Sequence, residues 1–201
     1  MSLRPVYIRS VASLGAEDPD FRQLFSPLEA RRMGRLLKRA VWTSRRALEA
    51  AALEMPDAIV TGTDFGSMNQ SEAFLGALKQ GGDATPRPTN FMQSTHNTIG
   101  SLIAIQLGCH GYNATYSHKG NSFRSALQDA WMQIALGDIE NALVGWFDED
   151  FPPAGSTDRA VSVVLSASAD KALGTLELKH FSLEEEALLG TLLELKQTAY
   201  D

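Results

Sequence analysis

The stretch GYNATYSHKGNSFRSALQDAWMQIALGDIENALVGWFDE, residues Gly111–Glu149, reads as strand, sharp turn, helix and strand. Tyr112 to Tyr116 is rich in β-forming residues, Ser117 to Asn121 is polar and carries a glycine, and helical spacing begins at once afterwards. In many α/β enzymes this kind of corner holds a nucleophile, because the bare N–H groups at a helix N-terminus stabilise a developing anion. Here the tip is Ser117-His118-Lys119-Gly120-Asn121-Ser122, with no cysteine and no GxSxG pattern.

Working outward, strands alternate with helices. Val6–Ala12 reads as a first strand, and Asp18–Pro27 as a loop broken by Pro19 and Pro27. Pro27–Leu53 has helical spacing, with Leu28, Met33, Leu36, Leu37, Val41, Leu48 and Leu53 near one stripe. Ser26 and Glu29 form a capping-box pattern around Pro27, and Pro56 ends the helix. Ala58–Thr63 is a short buried strand. Ser67–Lys79 is a helix stopped by Gly81-Gly82, followed by a loop with Pro86 and Pro88. Ser94–Leu107 is a helix closed by Gly108. After the quoted segment, with its strand Ala142–Phe147, come strands at Ala160–Ser168 and Gly174–Lys179 and a helix at Ser182–Lys196. Ser182 and Glu185 suggest a second capping box there.

This order predicts an α/β fold with helices on both faces of a five-stranded sheet, with Gly174–Lys179 as a candidate further strand. The closing strands have no helix between them, so their pairing is antiparallel and the sheet is mixed.

At 201 residues the chain is expected to form a single domain, 1–201, with a real core. A net charge of -6 argues against nucleic acid. The dense basic run of Arg31, Arg32, Arg35, Lys38, Arg39, Arg45 and Arg46 reads as a solvated helix face, with contact to an acidic partner as the sharper alternative. A lone cysteine, Cys109, excludes a disulfide framework and reads as a small buried hydrophobe. The N-terminus shows no signal-peptide h-region and no apolar run is long enough for a membrane span, so the expectation is cytoplasmic. His96, His110, His118 and His180 lack paired ligand spacing, which predicts no metal site, and the reading calls for no cofactor. His96 is placed in the first turn of a helix. Asp64, Asp148, Glu149 and Asp150 read as loop and strand-end solvation.

The punctuation of the middle of the chain resembles the N-terminal half of a β-ketoacyl synthase, a thiolase-fold condensing enzyme. The resemblance rests on Pro88, Leu107-Gly108, Gly111, the NATYS strand, Gly137-Asp138 and VGWFDE. Laid on that pattern, the nucleophile position falls on Gly120, and Trp146 replaces the second glycine at the strand end. The family's two catalytic histidines lie in a C-terminal half that this chain is expected to lack, and none of the four histidines sits in such a motif.

Condensation needs a thiolate and donors for the enolate. Glycine supplies neither sulfur nor hydroxyl, so the resemblance implies a subunit without its own catalytic residue. It would be similar to a chain length factor that pairs with an active β-ketoacyl synthase in a polyketide, fatty-acid-type or aryl polyene system, meeting acyl carrier protein indirectly. Two rivals stand beside it. One is a self-associating thiolase-like structural protein, paired with a second copy. The other is an enzyme using Ser117, His118 or Ser122, although adjacent strand residues point to opposite faces and would not naturally combine.

By the same resemblance, Tyr112, Ala114 and Tyr116 lie on the strand that pairs across a two-fold axis. A proline at Ala114 is expected to break that pairing. Asn90, Phe91 and Met92 follow Pro88 where the family approaches the partner's acyl tunnel, and a bulky pair there would act as a tunnel floor.

Overall fold

The computed structural model describes residues 3–80, 87–150 and 158–198. The stop at Gly81-Gly82 and Pro86 lie outside the described residues. The strands are β1 (Tyr7–Ser13), β2 (Ala58–Gly62), β3 (Tyr112–Tyr116), β4 (Asn141–Asp148), β5 (Arg159–Ser166) and β6 (Gly174–Thr175). The helices are α1 (Pro27–Arg32), α2 (Arg35–Ala50), α3 (Met68–Gln80), α4 (Pro88–Ser94), α5 (Thr98–Leu107), α6 (Ser122–Leu136) and α7 (Glu185–Thr198).

The strands form one mixed sheet in the order β3-β2-β4-β5-β1-β6. The expected α/β class with helices on both faces holds, with six described strands where five were expected. β2 pairs parallel with β3 and β4, while β5 pairs antiparallel with β4 and β1. The last strand shrinks from Gly174–Lys179 to two residues and pairs with β1 rather than β5, because the chain coils into a 3-10 turn at Leu178–Ser182.

All of β2, and all but the first residue of β4 and β5, are buried, as central strands covered on both faces must be. On one face α6 and α7 pack over Val60, Val144, Val163 and Leu165. On the other, α2 and α5 cover Ile59, Leu143 and Val164. The approach of α6 to the sheet is close: a Cβ on Gly62 would lie 2.5 Å from the Ser122 carbonyl oxygen. Only glycine at the end of β2 lets the start of α6 sit there.

Two expected helices are each broken. Pro27–Leu53 divides at Met33-Gly34, where both residues are extended. Gln93 of α4 holds the break, taking the Gly34 N–H at 2.9 Å and donating to the Arg32 carbonyl. Leu28 is therefore exposed rather than part of the buried stripe. The Ser26–Glu29 capping box is present as expected. Ser94–Leu107 begins later, at Thr98, because Thr95 is extended, and the preceding segment is the separate helix α4. His96 thus sits in the linker before α5, not in its first turn. Gly108 ends α5 in the left-handed region at φ 68°.

The basic run is not simply a solvated face. Arg39 is 1% exposed and donates to Asp18 and to the carbonyls of Leu14 and Gly15. Arg35 bridges Asp18 and Asp158, tying the loop after β1 to the start of β5. Burial works to raise both carboxyls, but Arg35, with Arg39, outweighs it and holds them below the usual 3.8. A carboxyl lowered in the folded state stabilises above its unfolded value and loses that contribution as pH falls through the folded one. Arg35→Gln is therefore expected to lower the Tm near about pH 7 and to narrow its loss on acidification to about pH 3. A Tm deficit of equal size at both pH values, measured by calorimetry, would refute the clasp.

Candidate functional site

The corner between β3 and α6 is built as the sequence implied. β3 ends at Tyr116, whose carbonyl accepts the Thr63 N–H at 3.0 Å, and α6 begins at Ser122. Gly120 occupies the tip at φ 78°, with nothing within 4 Å of an added Cβ. No side chain reaches from that position into the protein.

The hydroxyl nearest the tip is locked. Ser122 is fully buried. Its Oγ accepts the His118 backbone N–H at 2.9 Å and donates to Asp64 Oδ1. Asp64 Oδ2 also takes the Gly120 N–H at 3.1 Å. The candidates Ser117, His118 and Ser122 thus do not form an acid–base set. Ser117 and the His118 ring are on the exposed turn, while Ser122 is turned inward as a brace.

The N–H groups at the helix terminus are already engaged by an acidic side chain. Glu185 Oε1 accepts the Arg124 N–H in the first turn of α6 at 3.0 Å. Glu185 is buried, and burial pushes its carboxyl up while the N–H donors and Arg124 pull against it. This replaces the expected Ser182–Glu185 capping box. Ser182 Oγ instead donates to the Lys179 carbonyl at 2.7 Å. The Glu185 carboxyl oxygen takes up N–H groups at the positive end of the helix dipole.

Beneath the corner, Trp146 fills the space where the resemblance places a glycine. Its ring stacks on Phe123 at 5.2 Å and 10°, with the Arg159 guanidinium 4.6 Å from its centroid. Its Nε1 donates to Asp148 Oδ2 at 3.1 Å.

Asp148 and Glu149 are not solvated strand ends: both are buried. Asp148 Oδ1 accepts from Thr63 Oγ1 and from the N–H groups of Asp64, Phe65 and Gly66 at 2.8–3.0 Å. Glu149 takes the Asn69 N–H at 2.7 Å and anchors the start of α3. Together they fix the turn that carries Asp64. Sequence reading missed this because β2 and β4 are neighbours only in the sheet, and Thr63, just after β2, is 85 residues from Asp148. The one available signal was a run of acids at the end of an apolar strand.

Cys109 is buried as expected, its Sγ 3.2 Å from the Pro56 carbonyl. His180 Nδ1 accepts the Glu177 N–H at 2.9 Å. Among the described residues no three His, Cys, Asp or Glu side chains are grouped to hold a metal ion, and no helix is long and apolar enough to cross a membrane.

β3 is an edge strand, paired on one side with β2. Tyr112, Ala114 and Tyr116 share the α6 face, and Tyr112 is 44% exposed. The Tyr116 carbonyl points to β2, so by strand alternation the backbone groups of Tyr112 and Ala114 do too, and those of Asn113 and Thr115 face outward. The informative proline position is therefore Asn113, because Ala114→Pro would strike the ladder to β2. Asn90 is half-buried on α4. Phe91 is 55% exposed with its ring 5.3 Å from Phe74, and Met92 is 67% exposed. Met92 borders a largely apolar groove of about 740 Å³ with Met33, Leu37, Leu102 and Ile105.

Solved structures share this architecture. A ketosynthase in complex with its chain length factor from Xenorhabdus doucetiae matches at 19% identity and TM-score 0.67, over 82% of this chain and 80% of the other. A type II polyketide synthase acyl carrier protein in complex with its ketosynthase, bound to a hexaketide, matches at 14% and 0.72, over 85% and 65%. The ishigamide ketosynthase/chain length factor matches at 16% and 0.64, over 85% and 63%. The chain spans less than two thirds of the latter two, and at these identities the likeness is one of fold: a partial thiolase-like ketosynthase fold. The family model for the β-ketoacyl synthase N-terminal domain matches residues 9–177, and the chain belongs to that family.

Proposed function

We propose that this chain is a non-catalytic, ketosynthase-like subunit of the chain-length-factor type. It pairs through β3 with an active β-ketoacyl synthase and shapes the partner's product. The setting is polyketide or fatty-acid-type biosynthesis, with an aryl polyene as the product class the resemblance implies. Acyl carrier protein is met through the partner.

The observation that carries this reading is the corner. Gly120 stands at the nucleophile position, Ser122 is buried against Asp64, and Glu185 occupies the N–H groups of α6. Acyl transfer needs a reachable nucleophile and free donors at one place. Gly120 offers no side-chain nucleophile, and Glu185 already engages N–H groups at the start of α6, which supports a subunit without its own acyl-transfer chemistry. Pairing is supported by the open β3 edge, since an uncovered strand edge invites association. The matched structures described as ketosynthase and chain length factor support the type of partner.

The test is intact-mass analysis after incubation with acyl-loaded carrier protein. The expected result is no covalent acyl adduct on the wild-type chain or on Ser122→Ala. An adduct that disappears in Ser122→Ala would sink the reading in favour of an enzyme. Co-purification with the ketosynthase separates the proposal from a self-associating structural protein, which would keep to its own copies.

A further inference from the structure

The open edge of the sheet carries a charge that the described fold leaves without a counter-ion. The Tyr112 hydroxyl donates to Asp129 Oδ2 at 3.1 Å, and Gln133 Nε2 donates to Asp129 Oδ1 at 3.0 Å. Tyr116 lies against the same carboxylate. Burial, and then the charge of Asp129, push the Tyr112 phenol up to about 12, so it remains a donor. These neighbours are all neutral, and among the described residues Asp129 has no ion pair. Arg124, a cation on the same helix, is engaged by Asn121 and the Leu183 carbonyl.

Asp129 is set in an otherwise uncharged stripe. Gln128, Met132, Gln133 and Leu136 flank it at helical spacing, with Met132 and Leu136 exposed. Across the sheet edge, Ile105 of α5 is 75% exposed. The exposed side chains of Met132, Leu136 and Ile105 thus share this edge with one carboxylate and, among the described residues, no cation.

Antiparallel pairing of β3 with a second copy, about a two-fold axis normal to the sheet, puts both α6 helices on the same side. Paired strands run about 4.8 Å apart. Self-pairing would therefore hold two Asp129 carboxylates on the same side of one seam, with no cation from the described residues of this chain between them. The repulsion grows as the seam loses water. A different chain can bring a cation to the same place.

We propose that Asp129, braced by Tyr112, selects the partner. It disfavours a second copy of this chain and favours a chain of different sequence that sets a lysine or arginine opposite it across β3. This rests on the reading of β3 as the pairing edge. Like charges set against the wrong partner are a common means of specificity.

Three variants test it on the intact chain. Asp129→Asn keeps the hydrogen-bonding shape without the charge, and should tighten self-association about tenfold by sedimentation while weakening the ketosynthase complex. Mixing the wild type with Asp129→Lys should give mixed dimers well above the statistical proportion by native mass spectrometry. Asn113→Pro should remove the mixed dimers. If Asn113→Pro removes them but Asp129→Asn leaves self-association unchanged or weaker, partner selection by Asp129 is wrong and the β3 reading stands. Mixed dimers that persist with Asn113→Pro overturn the β3 reading itself. Should Asp129→Lys not fold, the Asp129→Asn self-association constant decides alone.

Discussion

Asn113→Pro is expected to reduce binding to the ketosynthase by about tenfold to a hundredfold while the chain itself stays folded. The Asn113 N–H faces away from β2, so the substitution spares the internal ladder. It removes a donor that a paired strand would use, and leaves a partner carbonyl unsatisfied in a buried seam. That costs about 1–3 kcal/mol, or about one to two decades in Kd. Proline is tolerated on an edge strand whose N–H faces solvent. The variant also loses the side-chain hydrogen bond to the Gly100 carbonyl at 3.0 Å. Asn113→Ala loses the same bond and keeps the N–H, so the difference between the two variants isolates the ladder contribution. Calorimetric titration against the ketosynthase gives both constants. Equal affinities for Asn113→Pro and Asn113→Ala would place the interface elsewhere.

Phe91→Ala is expected to lengthen the partner's product while leaving the first condensation near its normal rate. Phe91 and Met92 project from α4 largely uncovered, with Phe91 touching Phe74. Removing a half-exposed ring should change the stability of this chain little, so a changed product would report on the complex. Covering a large side chain contributes roughly 1.5–3 kcal/mol. Loss of that contact would shift the branch between stopping and extending by about tenfold or more at a given length. The measurement is the product-length distribution of the reconstituted pair, with Asn90→Ala and Met92→Ala as neighbours. An unchanged distribution from an intact complex would exclude the tunnel-floor role and leave a scaffold that stabilises its partner.

Much of this molecule was legible in order along the chain. The alternation of apolar runs with 3.6-residue spacing gave the α/β class. Pro27 with Ser26 and Glu29 marked a real helix start, and Gly108 marked a real helix end in the left-handed region. These signals are local, because a cap or a left-handed glycine is decided by a few neighbouring residues. The corner at Gly120 was visible for the same reason.

What escaped the sequence is what folding brings together from afar. Gln93 splits one helical pattern into α1 and α2 by filling the break with its amide, from 59 residues away. Glu185 looks like the cap of its own helix and instead reaches the start of α6, 61 residues back. Asp148 and Glu149 look like solvated acids and are buried ties, because β4 lies beside β2 in the sheet. The sequence by itself determined the order of strands and helices, the helix start at Ser26-Pro27, the helix end at Gly108, and that the tip of the corner holds glycine. Only the tertiary structure decided that Ser122 is buried, that the α6 terminus is filled and that β3 has an open edge. Periodicity records which face of an element is apolar, whereas the partner of a buried polar group is chosen by strand order and packing.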